Sequence, residues 1–323
     1  MRSPHLIIDT DTAADDCVAL LIGLLDPEAT LEAITMVAGN IGFDQQVRNA
    51  FLTLNVAGRL GQVPVHLGAT RPMMREWVSA EEVHGDGAGG LTMDVADCEP
   101  SPEHAVDALL RLTAAHPGEV DVVAIGPLTN IALAVLTDPS FATRVRSLVI
   151  MGGSNNARGN ITAAAEYNFY VDPEAARIVF GAGFDITVVP WAPLTVRDAV
   201  FDRETYARIA EIDTPLARFF HRVNQATLDF DESVGLPGAT HPDSLSAAVL
   251  LHPELVLASA RYNVQIETAS ELTRGYSAMS WGVHGLDANA TVIESVDAAA
   301  FERYLLGLLA IDTTVDRDVQ GGV

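Results

Sequence analysis

A chain of 323 residues, 49% of them hydrophobic and with scattered glycines and prolines, has ample material for a packed core and excludes the disordered, collagen-like and low-complexity classes. Its formal net charge of -24 argues against nucleic acid and anionic membranes as partners. All 19 basic residues are arginine, which rules out mechanisms that need a lysine Schiff base or a lysine-held phosphate.

The first segment, 5–9, reads as an apolar strand with no basic region or long apolar stretch before it, so no secretory signal is expected. Only Cys17 and Cys98 are present, in no metal-type spacing, and a reduced cytoplasm is the expected compartment. Short β-branched runs follow at 31–38, 63–67, 120–125, 147–151 and 185–190, each leading into a helical segment or a long loop. Such runs, apolar on both faces and alternating with helices, predict an α/β fold with a doubly wound, mostly parallel sheet. The pattern turns helical over 202–252, returns to strands at 262–267 and 290–295, and closes with a helix at 298–309. Without a repeat or a Pro- or Ser-rich linker, residues 1–323 are expected to form a single domain with helical insertions. Two loops, 68–99 and 152–170, exceed what a connector needs, and they hold His84 among glycines and the polar set Asn155, Asn156, Asn160, Glu166 and Asn168.

The strongest chemical signal is Leu6-Ile-Ile-Asp-Thr-Asp-Thr-Ala-Ala-Asp-Asp16, which sets Asp9, Asp11, Asp15 and Asp16 at the end of the first strand and the start of the next helix. Carboxylates this close stay ionised together only when a cation, a helix N-terminus or hydrogen-bond donors compensate. An oxygen-only cluster selects a hard ion, calcium or magnesium. The simpler alternative is that Asp15 and Asp16 only cap the helix. The loop side chains Asn160, Glu166 and Asn168 offer both donors and an acceptor to a sugar's hydroxyls.

The aspartate segment resembles the Asp-x-Asp-Pro-Gly-x-Asp-Asp signature of the inosine-uridine-preferring nucleoside hydrolases, with Thr12 and Ala13 in place of Pro-Gly. Val37-Ala-Gly-Asn40, His84-Gly-Asp-Gly, Ala124-Ile-Gly-Pro-Leu-Thr-Asn130 and Gly159-Asn-Ile-Thr-Ala-Ala-Ala-Glu-Tyr-Asn-Phe-Tyr-Val-Asp-Pro-Glu174 are similar to further family segments. The resemblance implies a nucleoside hydrolase-like fold and calcium-dependent hydrolysis of the N-glycosidic bond of ribonucleosides to ribose and free base, by a metal-bound water that Asp11 activates. It implies that Ca2+ is held by Asp11, Asp16, Asp243 and the main-chain carbonyl of Thr129. Asp15 and Asn168 are then expected to hold the ribose diol, Glu166 and Asn160 the 5'-hydroxyl, with Asn40, His84 and Met151 also against the substrate. Family members carry a histidine directly before the last metal-binding aspartate, whereas here Pro242 stands between His241 and Asp243. His241 is the candidate leaving-group acid and His84 the alternative. The implied partner is a small-molecule ribonucleoside, the implied assembly a homodimer or homotetramer, and base contacts are expected near 224–230 and 276–281. Two other readings compete. Asp9-Thr-Asp-Thr12 also resembles the first motif of haloacid-dehalogenase-like phosphatases, and the altered Thr12, Ala13 and Pro242 positions fit a catalytically silent nucleoside- or ribose-binding protein.

Overall fold

The computed structural model describes residues 5–92, 98–280, 282 and 285–313. The apolar runs become strands β1 (His5–Thr10), β2 (Thr30–Met36), β3 (Val65–Leu67), β4 (Val120–Ala124), β5 (Val145–Met151) and β6 (Ile186–Val189). A short pair, β7 (Val200–Phe201) and β8 (Ala239–Thr240), stands apart from the main sheet, which β9 (Val256–Ile266), β10 (Ser277–Ser280) and β11 (Ala290–Val296) complete. The order across the nine-stranded sheet is β10-β9-β11-β6-β5-β4-β1-β2-β3. Neighbours from β11 through β3 run parallel, and β9 pairs antiparallel with both β11 and β10.

Alternate residues of each central strand feed opposite cores. Leu6 and Ile8 pack on one face of the sheet and Ile7 on the other, while Val123 and Val149 oppose Val122 and Ile150 in the same way. Helices cover both faces, which is why these strands read as continuous apolar runs. Chain order reverses between β1 and β4, because β1 continues outward to β2 and β3 on one side while β4, β5 and β6 extend the other. A doubly wound sheet opens a crevice beyond the carboxyl ends of its strands at such a reversal. Asp9 and Thr10 end β1 at this point, and Ala124 ends β4 beside them.

The differences from the sequence expectation are local. The helical stretch 202–252 resolves into helices Arg203–Ala210, Pro215–Ser233 and Pro242–Leu251, with β7 and β8 bracketing the first two. Strand β10 was not anticipated, since four residues at a sheet edge carry too little periodicity to read. Strand β9 begins at Val256 rather than 262, because its first half alternates exposed and half-buried residues instead of forming an apolar run. Among the described residues no helix is long and apolar enough to cross a membrane.

Candidate active site

The pocket at the β1/β4 reversal has a volume of about 400 Å³ and is lined by Asp15, Asn40, His84, Met151, Asn160, Glu166, Asn168 and Asp243 among others. Asp11 lies fully buried beneath it, one residue past β1, with Oδ2 accepting from the Asn40 backbone N–H at 2.8 Å. Its Oδ1 is buried without a hydrogen-bond partner. Two glycines make room for this carboxylate. A Cβ on Gly39 would lie 1.9 Å from Asp11 Oδ2, and one on Gly126 would lie 2.7 Å from Oδ1. Gly39→Ala is accordingly expected to displace Asp11 and lower kcat roughly 100-fold, with an intact melting transition; unchanged kcat would show that Asp11 placement is not critical.

Asp16 accepts from Thr10 Oγ1 at 2.7 Å, from the Ala13 N–H at 3.1 Å and from Asn40 Nδ2 at 3.0 Å. Burial nevertheless pushes its carboxyl up to about 7. Asp11 is held well above the usual carboxylate range by burial first and by the Asp16 charge second. Asp243 is raised likewise, by burial and then by the charges of Asp16, Asp15, Asp11 and Glu166. Asp11, Asp16 and Asp243 thus converge from the start and the far end of the chain into one low-dielectric volume. An all-oxygen set with one orphaned buried oxygen fits a hard divalent cation. Asp9 stands behind this group, accepting from Thr35 Oγ1 and Asn130 Nδ2 at 2.6 and 2.8 Å. Among the described residues the group of three whose ligand atoms all lie within 4.8 Å of one another is His5, His116 and Glu119, at the amino ends of β1 and β4, away from the pocket. Its two imidazoles stack at 4.6 Å and 15°, so their in-plane lone pairs run side by side rather than converge.

The sugar-type side chains come from the second long loop. Glu166 caps helix Tyr167–Val171, its Oε1 accepting from Asn168 N at 2.8 Å and its Oε2 from Gly153 N and Phe169 N at 2.8 and 3.2 Å. Burial pushes its carboxyl up to about 7, against those backbone donors. Asn160 accepts from Tyr167 N at 2.8 Å and stays exposed at the pocket rim. Asn168 donates its Nδ2 to the Ile125 carbonyl at 2.9 Å and to Met151 Sδ at 3.2 Å. Met151 ends β5 and is both core residue and pocket wall.

Two of the implied residues are off the pocket lining. Thr129 is off the pocket lining, because it opens helix Thr129–Thr137 and turns its hydroxyl to Asp172 at 2.7 Å. The residue directly past β4 is Ile125, and its carbonyl is the one against Asn168. His241 is also absent from the lining, fully buried between Phe201 and Phe220 at ring distances of 4.6 and 5.3 Å. Its Nδ1 lies 2.9 Å from Asp15 Oδ1. His84 does line the pocket, 3.5 Å from Thr227 Oγ1, and burial pushes its imidazole down to about 4 despite the charge of Asp15. The far end of the pocket adds Arg158, Trp191, Thr227, Phe230 and Asp231. Of these only Thr227 and Phe230 fall in the expected base-contact segments; Tyr276 lies off the lining and Trp281 outside the described residues.

Buried carboxylates, polar loop side chains and aromatic residues share one pocket at the switch point of a doubly wound sheet, where such folds bind small ligands. The family model for inosine-uridine preferring nucleoside hydrolases matches residues 6–303. The chain belongs to that family and is a nucleoside N-ribohydrolase. It is 37% identical over 316 residues to the pyrimidine-specific ribonucleoside hydrolase RihA of Photobacterium profundum, covering 95% of this chain and 99% of the relative. It is 36% identical over 311 residues to an uncharacterized protein of Schizosaccharomyces pombe, covering 93% and 97%. Among solved structures, a plant nucleoside hydrolase superposes with a TM-score of 0.89 at 28% identity, covering 96% of this chain and 99% of the other. An inosine-guanosine nucleoside hydrolase superposes with a TM-score of 0.85 at 27% identity, covering 95% and 99%.

Proposed function

We propose that this enzyme hydrolyses the N-glycosidic bond of ribonucleosides with a tightly held calcium ion, Asp11 serving as general base. The observation that carries the reading is the convergence of Asp11, Asp16 and Asp243, all buried and all raised, beside a pocket walled by Asn168 and Glu166. Asp11, Asp16, Asp243 and the Ile125 carbonyl are the groups able to hold the ion. When bound, it supplies positive charge that keeps the clustered carboxylates ionised and acidifies the attacking water.

The remaining work falls to the chain's own residues. Asp15 and Asn168 bind the ribose diol, and Glu166 with Asn160 binds the 5'-hydroxyl, so the anomeric carbon is held over the carboxylates. Asp11 Oδ1, the unpartnered oxygen, takes the proton from the water that attacks that carbon as the sugar gains oxocarbenium character, while the C–N bond breaks, its electron pair leaves with the base, and the base takes up a proton on release. Phe230 and Trp191 give the base an apolar wall. The family match sets aside the phosphatase reading. A product assay over uridine, cytidine, inosine, guanosine and adenosine tests the proposal: free ribose is expected from at least one of them and is expected to depend on calcium. Tight nucleoside binding with no ribose released from any would establish the silent binder instead.

A further inference from the structure

We infer that His241 is a positioning residue that fixes Asp15 against the ribose, rather than an acid that protonates the departing base. The inference rests on Asp15 holding the sugar, as proposed above. His241 directly follows β8 and is the N-cap of helix Pro242–Leu251, yet its side chain makes no capping bond to that helix. Asp15, from the first turn of helix Asp15–Leu25, caps it from outside. Asp15 Oδ2 accepts from Asp243 N at 2.7 Å and Ser244 N at 3.1 Å, while Oδ1 accepts from His241 Nδ1 at 2.9 Å and Ser244 Oγ at 2.8 Å.

Pro242 suits this arrangement, because at the first helical position it has the right φ and brings no unpaired N–H, while the next two amides, free at any helix start, face the Asp15 carboxylate. Because both backbone amides and the serine hydroxyl donate, the Asp15 oxygens act as acceptors, and Nδ1 of His241 must carry its hydrogen. Nε2 is then a buried nitrogen without a partner, on a ring packed against Phe201, Phe220 and Tyr206. An imidazole so enclosed has no path for delivering a proton to a base. The four donors fill the acceptor positions of one carboxylate. The carboxylate therefore cannot pivot, and a sugar hydroxyl joins it as a shared, three-centre partner whose position is set in advance.

Three variants and paired substrates test the inference. Asn at 241 keeps an amide donor close to the Nδ1 position, Gln moves it toward Nε2, and Phe fills the volume with no donor. His241→Phe is expected to lower kcat/KM for a ribonucleoside roughly 10-fold or more through lost positioning, mostly in KM, with His241→Asn recovering most of that loss and His241→Gln little. The loss is expected to shrink to within about twofold on whichever of the 2'-deoxy and 3'-deoxy nucleosides lacks the hydroxyl that Asp15 holds, and a nitrophenyl riboside is expected to slow as much as the natural ribonucleoside. Sparing of the nitrophenyl riboside would restore His241 as the acid and overturn the inference. Equal losses on ribo- and both deoxy-nucleosides, or no loss in any variant, would overturn it as well. Wild-type protein inert toward every ribonucleoside would instead bring down the functional reading on which the inference stands.

Discussion

Asp11→Asn is expected to lower kcat by roughly 100-fold or more, the size of a general-base contribution, while KM changes little. The substitution is nearly isosteric, and an Asn carbonyl can still accept from the Asn40 backbone N–H, so the packing against Gly39 and Gly126 is kept. What is lost is the oxygen that faces no partner, Oδ1, the one available to take a proton. A base acts in the transition state far more than in substrate binding, hence the predicted split between kcat and KM. Because Asp11 also belongs to the proposed ion site, the assay is run at saturating calcium, which separates a weakened ion from a missing base. Asn168→Ala, in contrast, is expected to raise KM and lower kcat together, since its amide lies between the Ile125 carbonyl and Met151 and in the proposed role holds the sugar in both ground and transition states. Small and equal changes in the two variants would remove Asp11 from the role of base.

The parts of this centre legible in the sequence are those that are local in the chain. Asp9, Asp11, Asp15 and Asp16 lie within one strand-to-helix turn, and Asn160, Glu166 and Asn168 within one loop, so spacing alone places each set together. The sheet was legible for a similar reason, because strands buried on both faces are short apolar runs. What could not be read depends on contacts between distant segments. Asp15 and His241 are 226 positions apart, and only the packing of Phe201 and Phe220 around the imidazole decides that it turns toward Asp15 instead of the pocket. That Ile125 lines the pocket and Thr129 does not turns on where β4 ends and the next helix begins, and four residues suffice to exchange the pocket for a helix's first turn. Arg158, Trp191 and Asp231 come from three separate elements, and no motif ties them together.

Exhaustive removal of divalent cations is expected to abolish turnover and lower the melting temperature, with the loss of stability growing as pH rises. Asp9, Asp16 and Glu166 are each pushed up to about 7 by burial, and Asp11 and Asp243 are raised as well. In an unfolded chain the same groups titrate near 4. Between those values the cation-free folded protein retains protons that the unfolded chain has released, so folding takes up protons and stability falls as pH rises from about 4 through 7. A bound divalent ion reverses the balance by making the ionised carboxylates the favoured form, and its binding releases protons. The gap in melting temperature between calcium-loaded and chelated protein is therefore expected to be small near pH 5 and to widen toward pH 8. At a hundredfold excess of ion over Kd, mass action contributes about 2.7 kcal/mol, which amounts to several degrees in a chain of this size. A gap that stays constant with pH, or that narrows as pH rises, would show that the ion is not held by these carboxylates.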